Sequence, residues 1–173
     1  MDQPARKIRL QGEVEYRDES LELLKLPGDA AIVVRGQPRS FMLKCPDGCG
    51  ETLAVNLDGR TDKAWILDMR GGEPTLFPSV WRDSGCKSHF VVWRGHVLWC
   101  DRWEDGNVEP AYDPALEDKI WKSLPDDRLK SAVEVAYELD EIPWDVSRVC
   151  RQLARCGKAE AGTGNRRDWF RRR

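Results

Sequence analysis

The chain has 173 residues, of which 40% are hydrophobic and 34% charged, a composition typical of a globular protein. No apolar N-terminal run resembles a signal peptide, and no stretch approaches the roughly 20 apolar residues of a membrane span, so we expect a cytoplasmic protein. In a reducing compartment, we expect the six cysteines to be metal ligands or buried residues rather than a set of disulfides.

The net charge of −2 conceals an uneven distribution. From Arg148 to the C-terminus, nine Lys and Arg residues stand against two acids, a net +7, so the rest of the chain carries −9. This asymmetry of charge indicates that the C-terminal part contacts something acidic, either nucleic acid or the acidic half of the chain itself. For the last three arginines alone, a solvated tail is the simpler interpretation.

The first hundred residues have the pattern of short β-strands. Apolar or alternating segments cover residues 30–34, 40–44, 52–57 and 64–69, and the last of them precedes a turn of the hairpin type at 70–73. Two further apolar segments flank Arg94-Gly95-His96, which predicts a second hairpin. We therefore expect a small antiparallel β domain in this part of the chain.

Two close pairs of potential metal ligands lie within this β pattern. Cys45 and Cys49 flank a knuckle rich in Pro and Gly, and Cys86 and His89 are separated by two residues. Structural zinc sites use four Cys, or three Cys with one His, in tetrahedral geometry. The sequence therefore predicts a zinc site made of these four side chains, with Cys100 as an alternative to His89. The competing interpretation is that the cysteines are small buried residues.

A segment rich in turn-forming residues, 105–114, precedes a helical part. Apolar residues at intervals of three and four predict one amphipathic helix from Asp126 to about Leu139. A second helix is expected to begin at Pro143 and to end at Gly157. The acidic stretch 113–127 can supply a further helix before these two.

After the helices, Gly162-Thr163-Gly164-Asn165 predicts a turn between two short basic strands. Helices followed by a basic β-ribbon resemble a winged-helix module. Its outward helix face would carry Arg148, Arg151 and Arg155, and its wing tip Arg166 and Arg167. The alternative is that the same helices dock on the β domain.

The motifs of the β domain occur in an order that resembles a known family. Cys45-Pro-Asp-Gly-Cys49-Gly-Glu is followed by Phe77-Pro-Ser-Val80 and then by Gly85-Cys-Lys-Ser-His-Phe90. From about Gly28 to Trp99, this order resembles the bacterial domain of unknown function encoded beside ubiquitin-like conjugation genes. Its genetic neighbours are E1-like and E2-like enzymes and ubiquitin-like proteins, in antiphage islands. Family members often have a third Cys in the knuckle, where this chain has Asp47.

The resemblance implies a zinc-containing protein of a ubiquitin-like pathway, a hydrolase that trims or removes the ubiquitin-like protein. With only two His and no His-Glu-x-x-His helix, a thermolysin-like metallopeptidase is excluded. If His89 is a ligand, the zinc is fully coordinated and structural, whereas with Cys100 as the fourth ligand His89 is free to act as a base. Ser79 is then the candidate nucleophile, and Glu51 or Asp83 would orient the imidazole. The simpler interpretation of Ser79 is a turn or capping hydroxyl.

The sequence thus predicts an α+β protein with a zinc-stabilised β domain over residues 1–112 and a basic helical module that resembles a winged helix over 113–173. The predicted function is a peptidase of the serine type acting on a ubiquitin-like protein. The competing function is a non-catalytic zinc module that contacts nucleic acid or a conjugation enzyme through its basic C-terminus.

Overall fold

A computed structural model describes residues 3–173 and divides into two compact units. The first unit extends to Pro110, and the second comprises Ala111–Arg173. Within residues 3–173, no helix is long and apolar enough to cross a membrane.

The first unit consists of two four-stranded sheets and one helix. Its elements are β1 (Arg9–Val14), α1 (Arg17–Leu23), β2 (Asp29–Arg35), β3 (Gln37–Lys44), β4 (Thr52–Asn56), β5 (Ile66–Asp68), β6 (Thr75–Trp81), β7 (His89–Trp93) and β8 (His96–Trp99). The strand orders are β1-β2-β3-β4 and β5-β6-β7-β8. The pairing is antiparallel except between β1 and β2, which are parallel and are connected through α1.

Both sheets bury one face in a common core. Phe41 and Leu43, two positions apart on β3, pack in the same cluster as Leu76 of β6 and Phe90 of β7, and all four are fully buried. This follows from the period of two in a strand, which sends alternate side chains to the same face. Burying each such side chain contributes about 1.5–3 kcal/mol. The other face of the second sheet carries the candidate site, in which Ser79 and His89 are half-buried and Trp81 is exposed.

The second unit contains three helices and a three-stranded antiparallel sheet. Its elements are α2 (Ala115–Ser123), β9 (Lys130–Ser131), α3 (Ala132–Leu139), α4 (Pro143–Arg155), β10 (Ala159–Ala161) and β11 (Trp169–Arg172). The strand order is β10-β11-β9. Helix, strand, helix, helix, strand, strand is the order of elements in a winged helix. The predicted α+β class with C-terminal helices is confirmed.

The helix expected to begin at Asp126 begins later, at Ala132. Ser131 Oγ accepts a hydrogen bond from the Glu134 amide at 3.2 Å, and the Glu134 carboxylate accepts one from the Ser131 amide at 3.0 Å. This reciprocal capping box marks the start of α3. The predicted start was therefore wrong, since the acidic residues upstream are not part of the helix. Pro143 begins α4 as predicted.

Candidate active site and metal centre

Strand β6 is irregular at its centre, and Ser79 lies in the irregular part. Leu76 pairs with Val92 of β7, and Val80 pairs with Phe90. Three residues of β6 therefore stand opposite a single residue of β7. Such a bulge bends the strand and changes the direction of the side chains it contains. Ser79 is the last of the three bulged residues.

Ser79 and His89 form a hydrogen-bonded pair. His89 Nε2 lies 2.9 Å from Ser79 Oγ. The other ring nitrogen, Nδ1, lies 3.6 Å from Asp101 Oδ1, which is ion-pair distance rather than hydrogen-bond distance. His89 begins β7 and Asp101 follows β8, and the Cys100 amide holds these ends together by donating to the His89 carbonyl at 2.9 Å. A hydroxyl, an imidazole and a carboxylate in this order have the arrangement of an activated nucleophile.

An exposed tryptophan lies beside this pair. Trp81 is opposite His89 in the register of β6 and β7, and their ring centroids are 6.2 Å apart. The side chain is 70% exposed. A large aromatic surface left in solvent next to a candidate nucleophile is a typical feature of a binding site.

Three cysteines converge in a separate cluster. The sulfur atoms of Cys45, Cys49 and Cys86 all lie within 4.8 Å of one another. The Cys45 and Cys86 sulfurs are 3.7 Å apart. Zinc–sulfur bonds of about 2.3 Å in a tetrahedral site require sulfur atoms about 3.8 Å apart, so this spacing fits zinc. Among residues 3–173, neither His89 nor Cys100 belongs to this three-ligand group.

Arg82, directly after β6, inserts its guanidinium among these thiols. Its Nη1 lies 3.0 Å from Cys86 Sγ and 3.4 Å from Cys49 Sγ, and its Nη2 donates to the Glu51 carboxylate. Gly85 has a φ of +63°, and a Cβ at this position would lie 2.8 Å from Arg82 Nη2. Glycine therefore leaves the space that the guanidinium occupies.

The thiols differ in acidity. Burial raises the pKa of the Cys45 thiol to about 11. Burial also opposes ionisation of Cys86, but hydrogen bonds from the Ser88 hydroxyl and amide outweigh it and lower the pKa of Cys86. Burial and, to a smaller extent, the negative charge of Asp101 raise the pKa of the Cys100 thiol. Cys86, next to Arg82, therefore ionises more readily than Cys45.

The structure thus brings three of the four predicted zinc ligands together and brings the fourth, His89, to Ser79. The carboxylate beside His89 is Asp101, which the sequence analysis did not consider. Of the two acids considered for that position, Glu51 pairs with Arg82. The signal that can reveal Asp101 is its place just after β8, whose last residues pair with the beginning of β7.

Comparison with known proteins identifies one family. A family model described as “Bacterial ubiquitination-like system serine protease (BubE)” matches residues 14–100. The matched segment includes the three cysteines of the cluster, Ser79 and His89, and it ends immediately before Asp101. No curated protein and no solved structure shows significant similarity to the chain.

Proposed function

The chain belongs to this family of serine proteases of bacterial ubiquitination-like systems, and we propose that it cleaves a peptide bond at the C-terminal end of a ubiquitin-like protein. In this proposal Ser79 is the nucleophile, His89 is the general base and Asp101 orients the imidazole. The observation that carries the proposal is the 2.9 Å contact between Ser79 Oγ and His89 Nε2. The same chemistry serves to trim a precursor or to release a conjugated protein.

The proposed reaction follows the usual division of roles in such a triad. His89 Nε2 takes the proton of Ser79 Oγ as this oxygen attacks the carbonyl carbon of the substrate. The Asp101 carboxylate, beside Nδ1, stabilises the imidazolium that forms. The imidazolium then gives its proton to the leaving amine, and an acyl-enzyme remains on Ser79. Water, deprotonated by the same imidazole, hydrolyses this ester and restores the serine.

We also propose that Cys45, Cys49 and Cys86 hold one zinc ion. The sulfur spacing and the three-thiol donor set support this assignment. A bound zinc would contribute folding energy by joining the knuckle after β3 to the segment before β7. His89 is proposed as the base rather than as a ligand, because its Nε2 is engaged by Ser79 and its Nδ1 faces Asp101.

Two substitutions test the catalytic roles. The substrate is the precursor of the ubiquitin-like protein of the same system, fused at its C-terminus to a reporter. Ser79→Ala and His89→Ala are expected to lower kcat at least about 1,000-fold. Both variants should keep the zinc content and melting temperature of the unmodified chain. Ser84→Ala and His96→Ala are matched controls and should cleave normally. Cleavage that survives loss of Ser79 or His89 would refute the serine mechanism. Loss of zinc in His89→Ala would show that His89 is a zinc ligand, contrary to the proposal.

A second candidate function, contact with nucleic acid, concerns the second unit. Its element order is that of a winged helix, and Arg166 and Arg167 lie exposed between β10 and β11. Other arginines of the unit form ion pairs within it, for example Arg151 with Asp168 at 2.5 Å. Contact with a phosphate backbone would therefore depend on the wing tip and on Arg155, which is exposed at the end of α4. In this alternative the first unit is a non-catalytic zinc module.

A further inference from the structure

Strand β6 has a free edge next to the catalytic pair. The three residues of β5 pair with Thr75–Phe77 and end at Ile66, while β7 occupies the other side of β6. In the part of the chain that the structure describes, no strand pairs with residues 78–81 on the β5 side. A free strand edge binds extended peptides by adding them as a further strand.

The main-chain direction along β6 determines which residue can bind a peptide there. Val80 pairs with Phe90, and the Arg82 amide donates to the Ser88 carbonyl at 3.0 Å, so the main-chain groups of Val80 and Arg82 face β7. In an antiparallel ladder, the groups of alternate residues point to opposite sides. The N–H and C=O groups of Trp81 therefore point toward the free edge.

The contact of Ser79 with Trp65 agrees with this direction. The Ser79 carbonyl accepts a hydrogen bond from Trp65 Nε1 at 3.2 Å, and Trp65 directly precedes β5. Ser79 and Trp81 thus direct their main-chain groups to the same side of β6. Their side chains also share a face, because Ser79 Oγ contacts the His89 ring and the Trp81 indole lies beside that ring.

We propose that the segment of the substrate that is cleaved binds as an added strand on the free edge of β6. Its main chain pairs with the N–H and C=O groups of Trp81, and the indole covers one side of it. The nucleophile Ser79 lies two residues away on the same strand, so the bound segment passes the catalytic pair. The occupant is the extended segment that contains the cleavage site, because strand addition pairs the main chain of an extended peptide with a sheet edge. This inference rests on the proposed function.

Hydrogen exchange at two neighbouring amides tests strand addition directly. The experiment uses the full chain with Ser79→Ala and a synthetic peptide of the residues that flank the cleavage site of the precursor. Under saturating peptide, exchange of the Trp81 amide should slow at least about tenfold, because it gains a hydrogen bond. The Val80 amide already faces β7 and serves as the internal control, with unchanged exchange. Peptide binding that leaves the Trp81 amide unprotected would overturn the proposal.

Kinetics give the second readout. Trp81→Ala should raise KM about tenfold or more with kcat changed less than about threefold, because truncating an aromatic anchor weakens binding rather than chemistry. Trp81→Phe should recover most of the affinity. Trp103→Ala removes a tryptophan with similar exposure, 69% against 70%, and should leave KM unchanged. Absence of cleavage by the unmodified chain would contradict both the proposed function and this inference. Normal cleavage with an unchanged KM in Trp81→Ala would contradict the role of the indole, and normal cleavage with an unprotected Trp81 amide would contradict strand addition alone.

Discussion

The substitution Asp101→Asn tests how strongly the carboxylate supports the charged form of His89. Two unit charges 3.6 Å apart attract by about 1 kcal/mol at the dielectric constant of water and by about 5 kcal/mol at an effective value of 20. The Asp101 side chain is 60% exposed, so screening places the expected value near the lower end. A loss of about 1–2 kcal/mol of transition-state stabilisation corresponds to a fall of about 5- to 30-fold in kcat/KM.

The assay for this prediction is cleavage of the reporter fusion at low and at high ionic strength. The exposed ion pair should weaken with added salt, so the difference between the unmodified chain and Asp101→Asn should shrink. Asp83→Asn removes another exposed acid of the same unit and should leave kcat/KM within about twofold. An unchanged rate in Asp101→Asn at low salt would refute the orienting role. A loss as large as that of His89→Ala would refute the argument from exposure, since only a buried carboxylate is expected to have that effect.

Three further predictions concern the metal, the fold and the second unit. The purified chain should contain about one zinc per molecule by elemental analysis, and Cys45→Ser should lose zinc and melt at lower temperature while Cys100→Ser does not; absence of zinc would contradict the site. Burial opposes ionisation of Asp29, but main-chain and arginine hydrogen bonds outweigh it and lower its pKa. Asp29→Asn should therefore cost about 2 kcal/mol in urea unfolding at pH 7. The cost should shrink as the pH falls below about 4, where the carboxyl of the unfolded chain takes up a proton, and should vanish once the pH passes the lower pKa of the native carboxyl. A cost that does not change between pH 7 and about pH 3 would contradict this linkage. Binding of DNA or RNA should fall steeply with salt in fluorescence anisotropy and weaken in the double variant Arg166→Ala with Arg167→Ala, whereas no binding at low salt would exclude this function.

The fold was predictable from sequence where the local pattern is regular. The hairpin of β7 and β8 follows from two apolar segments around Arg94-Gly95, and both segments pair as expected. Strand β6 was not predicted, because Pro78 and the central bulge interrupt the alternation by which strands are recognised. Strand β1 and helix α1 were also missed. Their burial depends on packing against β2, and the burial pattern of β1 contains no fully buried residue.

The candidate site, too, could be predicted from the sequence only where the signal is local. The thiols of Cys45, Cys49 and Cys86 were predictable as a group, because close pairs of soft ligands are a local signal. The proximity of Asp101 to His89 depends on the register between β7 and β8, which residue types do not reveal. The position of Arg82 depends on the turn at Gly85, whose positive φ leaves room for the guanidinium. The first is a long-range consequence of strand pairing, and the second follows from a turn conformation that the pattern of residue types does not specify.

Strand pairing also connects the cysteine cluster with the hydrogen-bonded pair of Ser79 and His89. The β6–β7 hairpin carries Ser79 and His89 on its two strands, and its closed end carries Arg82 and Cys86, which contact each other at 3.0 Å. A slip of one residue between these strands would move His89 by about 3.3 Å and take its ring out of hydrogen-bond reach of Ser79. The contact between Arg82 and Cys86 at the closed end therefore stabilises the register that holds His89 beside Ser79, although neither side chain touches the serine. If zinc occupies the cluster, its removal should lower activity together with stability. If activity is lost on zinc removal while the chain remains folded, the zinc supports activity through the register of β6 and β7 and not through overall stability.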